Sequence, residues 1–191
     1  MIELVWTKYA GRAAVCTGIT GAAIYVLMIT GTLAHIQAVS GHVPFDMRPV
    51  GYSPQDAVAL LNGLGVEGRQ YYLQRQIPLD TLYPALLALT LIFTMRWFGT
   101  RIANDRLVRV GILLSVGAAL CDYAENLGIV AMILNWPSPS DTLVYASSAA
   151  SVSKSGFTTV AIMCLMLMGY RWPWRGKTSD RLWRQFHHRN G

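Results

Sequence analysis

Residues 108–136 read VRVGILLSVGAALCDYAENLGIVAMILNW, an apolar run with Asp122, Glu125 and Asn126 set into its middle. A helix of this length exceeds the roughly 20 residues, at 1.5 Å each, that cross a bilayer core of about 30 Å. The polar residues fall at i, i+3 and i+4, which is one helix face. Carboxyl groups at that depth are expensive unless they face protein or water. The run therefore reads as one membrane span of a helical bundle.

Similar runs flank it. Residues 13–38 carry no charge, 78–98 end just before Arg101, and 143–170 are interrupted only by Lys154. A cleaved signal peptide would have an apolar stretch of about 7–15 residues, so the longer first run is read as a retained helix. The predicted fold is all-α: an integral membrane four-helix bundle forming one domain over residues 1–191, with spans at about 13–38, 78–98, 108–136 and 143–170. Trp97, Trp136, Tyr170, Trp172 and Trp174 stand at run ends, where interfacial aromatic belts belong. With 53% hydrophobic and only 14% charged residues, the chain has far less charge than the roughly 25% of a soluble domain.

Orientation follows from the basic residues. The net charge is +6, and its cations cluster beside the apolar runs: Lys8 and Arg12; Arg96, Arg101, Arg106 and Arg109; Arg171 through Arg189. That is the positive-inside pattern, not a nucleic-acid patch. Both termini and the 99–107 loop are expected on the cytoplasmic side, with loops 39–77 and 137–142 outside, in a bacterial cytoplasmic (inner) membrane. The 171–191 tail, containing RLWRQFHHR, reads as a basic amphipathic segment suited to anionic lipid.

The first loop, 41–77, carries its own helix signals. Ser53, Pro54 and Asp56 form a helix start, with Gly63 or Gly65 as its end. A second short helix is expected from Val66 to Gln76, the pair capping the bundle. Asp46 and Arg48, between prolines, are candidates for a local pair. Pro78 suits the first turn of the second span, and an acid at that helix start, Asp80, would be stabilised by the helix dipole.

The chemistry-bearing residues lie inside the spans. On the fourth run Ser147, Ser151, Lys154, Ser155 and Thr158 recur at helical spacing. Asp122 lies 14 residues before Trp136 and Lys154 lies 12 after Thr142. In antiparallel spans both then sit about 20 Å below the same boundary. An intramembrane pair between Lys154 and Asp122 or Glu125 follows, and one carboxyl is left over. Two readings stand: a buried ion pair that joins helices, and a site in which the surplus carboxyl does acid–base work. The surplus favours the second.

On that reading Asp122, Glu125 and Lys154 are the catalytic candidates. Asn126, Asp80, Arg48, Tyr83 and Ser151 are the ligand-binding candidates, with Asp80 and Arg48 at the mouth of an outward-opening cavity. The ligand would be a membrane lipid or hydrophobic small molecule, amphipathic or isoprenoid-like. Isomerase, cyclase or hydrolase chemistry would suit such a site. The alternatives are an accessory subunit of a larger membrane complex, or a small transporter or proton relay, acting as a homo-oligomer. No cofactor is called for: the chain has no P-loop, no GxGxxG and no nucleophile elbow. No metal-ligand spacing appears, and Cys16, Cys121 and Cys164 form no CxxC pair. In plan, the four spans, long helical first loop and buried acids resemble the EXPERA-domain membrane proteins, whose acidic groups face a sterol-sized cavity.

Overall fold

In a computed structural model, the backbone is described for residues 2–102 and 105–188 and the side chains for residues 9–100 and 106–171. Among these residues there is no strand. Helix α1 (Ile2–Leu27) passes through a π-helical turn (Met28–Thr32) into α2 (Leu33–Ser40). Gly41, left-handed at φ +73°, ends that path with its N–H on the Gln37 carbonyl. A short 3-10 turn (Phe45–Met47) leads to α3 (Pro54–Tyr71), a second π-turn (Tyr72–Gln76), α4 (Ile77–Ile102), α5 (Asp105–Leu134) and α6 (Asp141–His188). Among the described residues four helical stretches are long and apolar enough to cross a membrane: Tyr9–Ser40, Pro54–Thr100, Arg106–Leu134 and Asp141–Arg171. The chain thus has the composition and build of an integral membrane protein.

The loop 41–77 departs from two separate short helices. Helix α3 does begin as its residues dictate. The Ser53 hydroxyl accepts the Asp56 N–H at 3.2 Å, and Asp56 accepts the Ser53 N–H at 2.9 Å, a reciprocal capping box. The Ser53 hydroxyl, which donates to the Asp56 carboxyl at 2.7 Å, and the Ser53 N–H together hold that carboxyl below its ordinary value. Gly65, at φ +62° and ψ −168°, breaks the helical path where a side chain would strain it. Beyond Gly65 no second boundary occurs: the chain runs through the π-turn straight into α4. Pro78, expected at a first turn, therefore lies inside a continuous helical path. The wide turn just before it is where the proline's ring clash and missing N–H are absorbed. Asp80 is likewise not at a helix start, so the helix dipole does not account for it.

Helix α6 also outruns its expected span. Its 48 residues cover about 70 Å, more than twice a bilayer core. The side chains past Arg171, including those of the basic amphipathic tail with His187 and His188, lie outside the described residues.

Burial sorts each helix into a protein face and a lipid face. On α5, Leu113, Leu120, Leu127 and Leu134 form a stripe exposed by 71%, 63%, 72% and 71%, which a water-facing surface would not tolerate. The opposite face buries Ser115, Asp122, Glu125, Asn126, Ile129 and Met132. Helix α5 packs most extensively on α6, while α1 packs along α4 with little contact to α5 or α6. Small residues bring the backbones close: Gly128 sits on Ser147 of α6, and Gly18 on Thr90 of α4. Thr90 also donates to Thr17 across α1 and α4 at 3.0 Å.

The core has two apolar layers. One, including Phe45, Leu60, Leu61, Tyr72, Ile129 and Met132, closes the end of the bundle nearest α3. The other, of Leu91, Met95, Ala161, Cys164 and Met168, fills the far half. The buried Asp80, Asp122, Glu125, Asn126 and Ser151 lie along their helices between the two layers.

Candidate functional site

Lys154 holds the centre of the polar layer. Its Nζ lies 3.0 Å from Asp122 Oδ1 and 2.5 Å from Glu125 Oε2, so one ammonium bridges both carboxylates. The Ser151 hydroxyl donates to the other Glu125 oxygen, and Ser147 donates to the Glu125 carbonyl at 3.2 Å. Glu125 is 0% exposed. The fixed i, i+3 offset on α5 and the i, i+4, i+7 series Ser147, Ser151 and Lys154 on α6 bring these groups together. Lys154 does not choose between the acids, and its single positive charge still leaves one negative charge of the pair over.

Further acidic groups lie beside it. A cavity of about 470 Å³ is walled by Tyr25, Met28, Ile29 and Leu33 of the first span, by Asp46, Met47 and Pro49 of the loop, and by Asp80, Tyr83, Leu87, Asp122, Lys154, Ser155, Thr158 and Thr159. Asp122 and Lys154 thus present the ion pair to the cavity, whereas Glu125 stands behind them. Asp80 is 2% exposed and its Oδ2 has no hydrogen-bond partner. Tyr83 stacks on Tyr25 with ring centroids 5.3 Å apart and planes at 26°.

Three expected ligand residues have other tasks. Asn126 donates to the Asp80 carbonyl at 3.0 Å and so joins α5 to α4. Ser151 is spent on Glu125. Arg48 is not in the cavity wall: it pairs with Asp56 at 3.2 Å and donates to the Val43 carbonyl at 3.0 Å. The local Asp46–Arg48 pair is therefore replaced, because Asp46 turns inward to accept the Tyr72 hydroxyl.

The 41–52 loop is pinned over the end of the bundle by Tyr52, whose N–H donates to Ser148 at 2.8 Å and whose hydroxyl donates to Ser147 at 2.7 Å. Burial pushes the Tyr52 phenol above its ordinary value, so it stays a neutral donor. The exposed wall residues are Tyr25, Met47, Pro49 and Thr159. Met47 and Pro49 belong to the loop, and Tyr25 and Thr159 to α1 and α6, helices with little contact to each other.

Asp46, Tyr72, Tyr25 and the pair Thr32–Gln76 complete the surroundings. Thr32 donates to Gln76 at 2.5 Å, linking the two π-turns, which face each other. Such turns are frequent at functional sites. A buried amide (Gln76, 0% exposed) flanked by Tyr72 and Pro78 was the available sequence signal for this contact. A second cavity, of about 800 Å³, lies between α1 and α4 near Arg12 and Trp97 and has none of this chemistry. No group of three or more His, Cys, Asp or Glu able to hold a metal occurs among the described residues.

No family model, curated protein or solved structure matches the chain, so the site is read from its own geometry.

Proposed function

We propose that this is a polytopic membrane protein, with both termini cytoplasmic, whose intramembrane cavity binds an amphipathic or isoprenoid-like lipid and converts it by acid–base chemistry. The observation that carries the reading is the cavity itself. About 470 Å³, within the usual range for small-molecule sites, is lined by hydrocarbon and by Asp80, Asp122 and Lys154 together. Its exposed residues Tyr25 and Thr159, on α1 and α6, suit a ligand arriving from the bilayer. Asp80 and Asp122 are the acids in reach of such a ligand, with Lys154 3.0 Å from Asp122. Glu125 anchors Lys154 from behind, and Asn126 positions Asp80.

Native mass spectrometry with lipid extraction, on wild type and Asp122→Asn in mild detergent, tests this. A discrete co-purifying molecule, depleted in the variant, supports the reading. An empty wild type refutes it.

A second reading has its own observation. Lys154, Asp122, Glu125 and Ser151 satisfy one another across α5 and α6, as a purely structural fastening would. An accessory subunit is then expected, and loss of a defined complex in Lys154→Met is its signature. The apolar layers above and below the polar layer disfavour a through-path for ions.

A further inference from the structure

Around the cavity, carboxyl groups outnumber ammonium groups. Asp46, Asp80 and Asp122 line it, and Lys154 is the one cation among its described lining residues. That cation is already held by Asp122 and Glu125. Asp46 and Asp80 have no cation of their own, and each leaves one oxygen buried without a partner: Asp46 Oδ1 and Asp80 Oδ2. For Asp80 this is a side chain only 2% exposed in the cavity wall. Were both acids ionised they could only accept, and both oxygens would need a donor. Burying a polar atom without one is costly.

The surroundings select the donor. An ammonium has three N–H groups and a positive charge, enough to serve both acids at once. The stacked pair Tyr25 and Tyr83 offers aromatic faces of the kind that attract cations. Met28, Ile29, Leu33 and Leu87 form an apolar wall leading toward exposed Tyr25 at the rim. A metal ion fits less well, since the described residues hold no ligand set for one.

We propose that the cavity takes an amphipathic amine, its ammonium seated between Asp46 and Asp80 and its hydrocarbon leaving between α1 and α6 into the bilayer. The inference rests on the cavity being a ligand site, as argued above, and adds the charge of the headgroup.

The test uses the full chain in nanodiscs of zwitterionic phosphatidylcholine at pH 7, with dodecylamine and dodecanol as probes. Binding is read by native mass spectrometry titration. Dodecylamine is expected to bind at least about tenfold more tightly than dodecanol. Asp80→Asn and Asp46→Asn should each remove at least about tenfold of that affinity, less than deleting one partner of an isolated buried charge pair because the other acid remains, with dodecanol unaffected. Asp46→Asn lies on the loop turn and keeps the test decisive if Asp80→Asn does not fold. Equal binding of the two probes overturns the amine and leaves the lipid site standing. An amine preference that survives both substitutions also overturns it. Failure of both probes to bind removes this proposal and the cavity's ligand role together.

Discussion

Replacing Lys154 by Met removes the ammonium 3.0 Å from Asp122 and 2.5 Å from Glu125. Asp122 lines the cavity and can be reached by water, but Glu125 is 0% exposed. An unpaired buried anion is the worst outcome, so Glu125 in the variant takes up a proton. Protonating a carboxyl of ordinary pKa, about 4.3, costs about 3.7 kcal/mol at pH 7 and about 1 kcal/mol at pH 5. The folded variant then binds one more proton than the unfolded chain, so its stability falls as pH rises. The added apolar contact of Met offsets part of the loss. A destabilisation of about 3 kcal/mol at pH 7, shrinking to about 1 kcal/mol at pH 5, is expected. Denaturant unfolding of the detergent-solubilised protein, followed by circular dichroism from pH 5 to pH 8, measures it. A loss that does not change with pH would refute the claim that Lys154 neutralises Glu125 in the fold.

Glu125→Gln keeps an acceptor for Ser151 and leaves Lys154 with Asp122, so it should cost only about 1–2 kcal/mol in the same assay while preserving ligand retention. Gly128→Ala places a methyl group against Ser147 and should force α5 and α6 apart, costing about 1–3 kcal/mol in thermal unfolding. Ser53→Ala removes the α3 cap and should cost about 1 kcal/mol. Because the folded protein depresses Asp56, that carboxyl stabilises above its unfolded pKa and the benefit fades as pH drops through the folded value. Asp56→Asn should therefore flatten the acid limb of the stability profile, and an unchanged limb would count against the capping box.

Much of the fold was legible because length and polarity alone decide what can cross a bilayer. The same economy exposed Asp122, Glu125 and Lys154, which stand out against apolar neighbours and whose depths match by simple counting. The π-turns were not legible, since nothing in Met28–Thr32 or Tyr72–Gln76 distinguishes a wide turn from an ordinary one. Asp46 was hidden for another reason. Its nearest charge in the chain is Arg48, two residues away, yet Tyr72, 26 residues on, competes for it and wins. Arg48 is thereby released to Asp56, which local spacing pointed to only as a helix cap. The side on which the cavity opens depends on which helices fail to pack, and no single segment encodes that.

The link between α5 and α6 is only residues 135–140, and its brevity bears on how the chain enters the membrane during synthesis. A lone α5 would carry two carboxyls into hydrocarbon with nothing to meet them. With so short a hairpin, Lys154 follows almost at once, and the two helices can partition into lipid as a neutralised pair. Helix α1 is under no such pressure. Its stretch from residue 13 onward has no ionisable group but Cys16 and Tyr25, so it can wait alone in the bilayer until α4, its packing partner, arrives.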